Sequence, residues 1–172
     1  MSLNDIAIKR FAGYNCVPSF EWLRDDRDTS SQTATTKAGE PLKVNATAGQ
    51  FCILLVDADL TIGTDQPFVG VAAEESTETA SVDGAVNAYM PLPGVVYEVK
   101  ALSAAAADTQ SEIDALRGEY DVLDLTSGKF TLDTVAGTGA NNAFLIVGGD
   151  PLLRSLWVMI RSDATIFGRG SV

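Results

Sequence analysis

The sequence predicts a mainly β protein, in which short antiparallel strands form a β-barrel or β-sandwich with one short helix and an extended N-terminal arm. Three observations support this fold class. Apolar and polar residues alternate over short stretches such as Val95–Ala101. Turn-forming residues, such as the Pro-Leu-Pro-Gly of residues 91–94, separate these stretches. Residues 24–39 are polar and follow neither the helical nor the strand period, which is typical of a loop or an arm.

Residues 1–41 are predicted to form the N-terminal arm. Within this polar segment stand five apolar or aromatic anchors: Phe11, Tyr14, Phe20, Trp22 and Leu23. Disordered segments usually contain few aromatic residues. We therefore predict that the anchors bind a partner, which is either the body of the same chain or a neighbouring protein.

Residues 42–172 are predicted to form the body, which includes a short helix near residues 108–117. The acidic, Gly-terminated stretch 74–84 predicts a surface loop or a hairpin tip. The Thr-Ser-Gly of residues 126–128 predicts a tight hairpin, and the Gly-Gly-Asp-Pro of residues 148–151 predicts a turn. Alternation or short apolar runs predict strands over residues 42–47, 51–56, 68–73, 85–90, 95–101, 120–125, 129–133, 143–147 and 156–161.

The short helix is indicated by the spacing of a capping box. Thr109 and Glu112 are three residues apart, so the hydroxyl and the carboxylate can each accept a hydrogen bond from an opening backbone amide. Ile113 and Leu116 would share one face, and Gly118 would end the helix. So short a helix is not stable alone, and we expect it to pack against the sheet or to close one end of a barrel.

The net charge of −11 is distributed unevenly along the chain. Residues 1–43 contain six basic and six acidic side chains, whereas residues 44–99 contain eight acidic and no basic ones. Residues 100–172 contain six basic and nine acidic side chains. Because so acidic a body repels phosphate groups, we expect no binding to nucleic acid. The neutral N-terminal stretch is the expected place of partner contact.

Neither a membrane span nor a secretory signal is recognisable in the sequence. The longest unbroken apolar run, residues 51–56, is far shorter than the ~20 residues that a spanning helix needs. The first residues lack a basic stretch followed by an apolar one. We therefore expect synthesis in a cytoplasm and no contact with a membrane.

The sequence offers no constellation typical of an active site or a metal site. It contains no histidine, and Cys16 and Cys52 are its only cysteines, which excludes a histidine-dependent triad and leaves too few ligands for structural zinc. Residues 57–61 begin like a calcium loop, but Ile62 and Phe68 stand where that loop needs a glycine and a bidentate acid. We predict a non-enzymatic protein with no catalytic residue, no cofactor and no metal.

Several stretches of the chain resemble the decoration, or cement, proteins of tailed-phage heads. One is Pro-Phe-Val-Gly-Val-Ala-Ala-Glu-Glu at residues 67–75, followed by a Ser/Thr-rich acidic loop and by Pro-Gly-Val-Val-Tyr-Glu-Val-Lys at residues 93–100. The C-terminal stretches 124–133, 144–151 and 158–161 are similar to the barrel-forming part of such proteins. The resemblance covers residues 40–167 and includes no catalytic signature.

The resemblance implies a structural role on the outside of a virion. Proteins of this type sit as trimers on an HK97-like shell, where they bridge subunits of the major capsid protein and stabilise the shell. Their N-terminal arm commonly becomes ordered on the capsid. The implied partners are therefore the major capsid protein and two further copies of this chain, with the acidic body facing solvent and away from packaged DNA.

Two alternative functions stay open at the level of sequence. The first is another structural virion role, such as a head-fibre base, a neck protein or a tail-tube protein. The second is a ligand- or carbohydrate-binding β-module, in which Trp22 or Trp157 would form a platform for a sugar ring. Since Trp157 alternates with its strand neighbours, we expect it in a core or a subunit interface instead.

Overall fold

The described part of the chain is mainly β, as the sequence predicts. A computed structural model describes residues 6–11, 17–24, 35–44, 51–54, 67–77, 84–126, 129–135 and 142–167. These residues form thirteen strands, one α-helix and two short 3-10 turns. The strands are β1 (Ala7–Phe11), β2 (Ser19–Arg24), β3 (Thr35–Thr36), β4 (Pro41–Val44), β5 (Phe51–Leu54), β6 (Phe68–Ala72), β7 (Ser76–Thr77), β8 (Gly84–Tyr89), β9 (Val95–Ala101), β10 (Tyr120–Thr126), β11 (Lys129–Asp133), β12 (Phe144–Asp150) and β13 (Ser155–Ile160), and the helix is α1 (Gln110–Leu116).

Five strands of the N-terminal half close into a barrel, which we call the first barrel. The strands follow one another around it in the order β2-β5-β4-β6-β8. Its longest ladder joins β2 to β8 in antiparallel register, from Ser19 opposite Tyr89 to Arg24 opposite Gly84. Closure leaves no free edge in this set of strands, which removes the usual site of edge-to-edge aggregation. The buried core side chains described here are Leu42, Val69, Ala72, Val86 and Ala88.

Five strands of the C-terminal half form a second ring, which we call the second barrel. The sheet order is β1-β9-β11-β10-β12-β13, and an additional pairing of β9 with β13 joins its ends. Lys100 of β9 shows how the ring closes, because it pairs with Thr131 of β11 on one edge and with Ser155 of β13 on the other. β1 lies outside this ring and pairs with the first half of β9.

The two barrels pack together through β6. Phe68 in β6 is fully buried and meets Phe144 of β12 edge to face, with ring centroids 6.3 Å apart and an interplanar angle of 78°. The backbone amide of Ile166 donates a hydrogen bond of 3.2 Å to the carbonyl of Phe68. Aromatic pairs in this geometry contribute roughly 1 kcal/mol beyond their buried area. A strand of the first barrel therefore contributes to the core of the second.

The helix α1 has the predicted capping box. The backbone amide of Glu112 donates to the Thr109 hydroxyl at 3.3 Å, and the Thr109 amide donates to the Glu112 carboxylate at 3.0 Å. Ile113 is fully buried and packs against Gly149 of β12. The alanines before the helix form a separate 3-10 turn, Ala104–Ala106, and do not extend α1.

Three strands come from the segment predicted to be an arm. β1 pairs with β9, β2 closes the first barrel, and β3 pairs with β7. Ile6 is buried in the core of the second barrel, and its amide donates a 3.0 Å hydrogen bond to the Gly39 carbonyl. The sequence leaves two partners open for this segment: the body of the same chain and a neighbouring protein. The described parts of the segment contact the body of the same chain. Backbone pairing and apolar burial therefore cross the predicted boundary at residue 41.

The turn predicted at residues 148–151 lies further along the chain. β12 continues to Asp150, and the turn comprises residues 151–154. A side chain on Gly148 would meet the Trp157 ring at 3.0 Å, and one on Gly149 would meet the Ser155 carbonyl oxygen at 2.5 Å. These glycines therefore permit close packing inside a strand. The sequence alone does not distinguish glycines of this kind from the glycines of a turn.

Candidate partner-binding surface

The five predicted anchors occupy different environments. Phe11 is the last residue of β1 and pairs with Val95. Tyr14 lies outside the described residues. Phe20, Trp22 and Leu23 are all in β2, so one strand carries three of the five.

Phe20 and Leu23 form an exposed apolar patch together with a residue from the C-terminal end. Phe20 is 55% exposed and Leu23 is 47% exposed, and Phe167, which the sequence analysis did not single out, is 51% exposed. They surround a depression of about 410 Å³, which we call the apolar concavity. It is lined by Phe20, Glu21, Trp22, Leu23, Val69, Met90, Ile166 and Phe167.

The walls of the concavity are fixed by backbone hydrogen bonds of the first barrel. The amide of Met90 donates to the Pro18 carbonyl at 2.9 Å, which fixes the chain at the start of β2. Elsewhere in the lining, the Ile166 amide donates to the Phe68 carbonyl of β6, and Trp22 is half-buried against the core of the first barrel. The apolar side chains are therefore exposed on an ordered framework and not on a free loop.

The described lining of the concavity carries little charge, although the protein is acidic. Among the described residues that line it, Glu21 is the one charged residue, and it is exposed. An apolar depression with an acidic residue lacks the cationic donors that bind phosphate or carboxylate groups. Exposed contiguous apolar surface of this kind is typical of a contact with an apolar group of another molecule.

A second exposed apolar feature is the turn of residues 151–154, which we call the leucine turn. Leu152 is 93% exposed and Leu153 is 41% exposed. The turn is nonetheless ordered, since the Asp150 carboxylate accepts hydrogen bonds from the amides of Leu152 at 2.9 Å and Leu153 at 3.3 Å. The Lys100 ammonium donates to the Leu153 carbonyl, and Arg154 adopts a φ of 51°. The leucine side chains are thus presented on a fixed turn.

Trp157, the other tryptophan considered for sugar binding, is built into the second barrel. Its ring lies against Gly148, and its indole N–H donates to the Glu98 carboxylate at 3.4 Å. The Ser155 hydroxyl donates to the same carboxylate oxygen at 2.7 Å. These contacts hold an almost fully buried glutamate, so Trp157 has a structural role in the sheet.

Asp121 is an ionisable group inside the second barrel that the sequence analysis missed. It is fully buried, and both of its carboxylate oxygens lack a hydrogen-bond partner among the described residues. Burial raises the pKa of Asp121 from 3.8 to about 6, and the negative charges of Asp133 and Glu119 add to the shift. Asp121 pairs with Phe144 across the sheet. Its alternation with Leu123 could have indicated an inward orientation, but not the lack of a partner.

The acidic residues of stretches 57–61 and 74–84 do not form a site in the described part of the chain. Glu74 and Glu75 are exposed, and Glu74 accepts a hydrogen bond from Asn87. Asp57, Asp59 and Glu78 lie outside the described residues. Among the described side chains, no group of three His, Cys, Asp or Glu is placed to hold a metal ion.

Comparison with known proteins adds no relative. No protein family, no curated protein and no solved structure matches the chain. None of the helices in the described ranges is both long enough and apolar enough to cross a membrane.

Proposed function

We propose that this chain is a structural virion protein that decorates and stabilises the outer surface of an HK97-like phage capsid by bridging major capsid protein subunits. The observation that carries the proposal is the apolar concavity, a surface on an acidic body that is suited to protein contact, either with the capsid or between the copies of a trimer. The sequence stretches that resemble decoration proteins, within residues 40–167, support an HK97-like shell as the partner.

The charge distribution supports an external position. Residues 44–99 contain eight acidic and no basic side chains. Packaged DNA would repel such a surface, whereas solvent on the outside of a shell would not. The fold is also suited to the role, since closure of the first barrel removes the free edges of its five strands, at which unwanted partners could bind.

Bridging becomes effective when several copies act together. A homotrimer would place three identical contacts on one particle, so that individually weak contacts multiply through effective concentration. Stabilisation then follows by mass action, because a ligand that binds the expanded shell and not its dissociated subunits favours the shell.

The proposal is tested by adding the purified protein to expanded heads from which it is absent. We expect it to cosediment with these heads at a fixed stoichiometry and to raise the temperature at which they release DNA. Heads of an unrelated phage serve as the control and should bind none. A lack of binding to expanded heads of its own phage contradicts the proposal, and particle images that place it on the neck or the tail favour the other virion roles.

A further inference from the structure

We propose that the leucine turn of one copy inserts into the apolar concavity of a second copy, so that copies of this chain associate head to tail. The contact joins two different surfaces, one on each copy. Both surfaces are apolar, but the leucine turn projects and the concavity recedes. It concerns the free protein and does not rest on capsid binding.

The leucine turn projects from the molecule and the apolar concavity recedes into it, so the two apolar surfaces are complementary. Leu152 is 93% exposed at the tip of the turn, so its side chain is available to be buried against an apolar partner. The concavity has a volume of about 410 Å³ and an almost wholly apolar lining, within the range of pockets that enclose apolar groups. The turn supplies the projecting group, and the concavity supplies the space.

Both surfaces are held rigidly by hydrogen bonds. The Asp150 carboxylate and Lys100 hold the leucine turn through the three hydrogen bonds described above. The ladder between β2 and β8 holds the concavity. Because little conformational freedom is lost when two ordered surfaces meet, a small contact between them can be stable.

The two surfaces carry opposite charges near their edges. Arg154 is an exposed cation at the end of the leucine turn, and Glu21 is the charged residue that lines the concavity. Docking the turn would bring these opposite charges to the rim of the contact. Two chains that each carry a net charge of −11 repel each other, so an attractive pair at the rim also sets the orientation of the encounter.

The positions of the two surfaces determine the kind of assembly. The leucine turn joins β12 to β13, whereas Phe167 lies at the other end of this hairpin, where Met159, Ile160 and Phe167 surround a second depression. β12 has seven residues, so the two ends are about 20 Å apart. A contact between different surfaces is heterologous, and it leads to a closed ring or to an open filament. A closed ring of three would give a homotrimer whose concavities are all filled by neighbouring copies, so such a trimer would contact the capsid through its remaining surface.

The first test measures molar mass by light scattering in the absence of any capsid. We expect an oligomer of the wild-type chain and a monomer of the Leu152→Asp variant. The matched control is Val135→Asp, since Val135 is 75% exposed and its turn is held in the same way by Asp133. The control should keep the oligomer. A wild-type monomer at about 1 mM, the range of very weak contacts, or an intact Leu152→Asp oligomer, contradicts the inference.

A complementation test distinguishes the head-to-tail contact from a symmetric one. Leu152→Asp/Leu153→Asp inactivates the turn, and Phe20→Asp/Leu23→Asp inactivates the concavity. Each variant alone should be monomeric, whereas a mixture should form heterodimers, because one intact turn still meets one intact concavity. Absence of heterodimers in a mixture of folded variants, checked by circular dichroism, overturns the proposal.

A charge exchange tests the orientation. Glu21→Arg alone and Arg154→Glu alone should each weaken association by about tenfold or more, since each places like charges at the rim. The double variant should restore most of the wild-type association. Glu75→Arg, which changes an exposed acid outside the concavity, is the control and should not weaken association. Failure of the double variant to recover any association contradicts the assigned charge pair.

Discussion

The two barrels use their apolar residues differently. In the second barrel, large side chains are fully buried, and they include Tyr97, Phe144, Leu123, Leu132, Ile146 and Leu156. The buried core described for the first barrel consists of one leucine, two valines and two alanines. Larger apolar side chains of the first barrel's β2, Phe20 and Leu23, are instead about half exposed. Among the described residues, the second barrel therefore holds most of the large buried side chains, whereas β2 of the first barrel carries apolar side chains that line the concavity.

Two phenylalanines give the largest expected contrast between the barrels. Phe144→Ala should lower the free energy of unfolding by about 3–5 kcal/mol, because it leaves a cavity against Phe68 in the shared core. Phe20→Ala removes the same side chain from an exposed position and should change this free energy by only about 0.5 kcal/mol. Both changes in the free energy of unfolding can be measured by urea denaturation of variants that also carry Leu152→Asp, which keeps the chain monomeric. Equal losses for the two variants would contradict the division between the barrels.

The buried carboxyl in the second barrel gives the next effect, through pH. The pKa of Asp121 is raised from 3.8 to about 6 in the folded state, so the folded chain binds more protons than the unfolded chain between these values. Its contribution to stability is therefore full below about pH 4 and is lost as the pH rises to about 6, a decrease of at most about 3 kcal/mol.

The variant Asp121→Asn tests this assignment because its side chain does not titrate. Relative to it, the wild type should lose stability between pH 4 and pH 7 when unfolding is measured at a series of pH values. Asp114→Asn, at an exposed carboxylate of α1, is the control and should follow the wild type. The same pH dependence in Asp121→Asn and the wild type would show that the buried carboxyl is not its source.

A smaller effect is expected from glycines that allow close backbone approach in each barrel. A Cβ at Gly70 in β6 would lie 2.2 Å from the Tyr89 carbonyl oxygen, and one at Gly149 in β12 would lie 2.5 Å from that of Ser155. Gly70→Ala and Gly149→Ala should each destabilise the chain by about 1–3 kcal/mol. The melting temperatures of the two variants and the wild type measure this effect. A melting temperature that is unchanged in either variant would mean that the neighbouring strand moves away from the new Cβ atom at little cost in free energy.

The sequence predicts the strands of the second barrel well because their signal is local. Alternation places Phe130 and Leu132 on the buried face of β11, and the capping box places Thr109 at the start of α1. The strands β1 and β2 are not predicted because their pairing partners are distant in sequence. Ser19, Phe20 and Glu21 are all exposed, so β2 lacks the alternation of a half-buried strand.

The candidate site is only partly predictable for a similar reason. Phe20 and Leu23 stand out as apolar residues in a polar segment, and they do line the concavity. Phe167 and Leu152 carry no such signal, since a hydrophobic residue near a turn is ordinarily buried. Only the fold shows that the turn after β12 is displaced to residues 151–154 and that it exposes its leucines.

The central claim, that the concavity of the first barrel is the contact surface, is tested most directly by the fluorescence of Trp22. The chain contains two tryptophans, so Trp157→Phe leaves Trp22, which lines the concavity, as the single reporter. Emission should shift to shorter wavelength as the protein associates with rising concentration, and Leu152→Asp should abolish the shift. Emission that stays constant over the range in which light scattering records association would contradict the account.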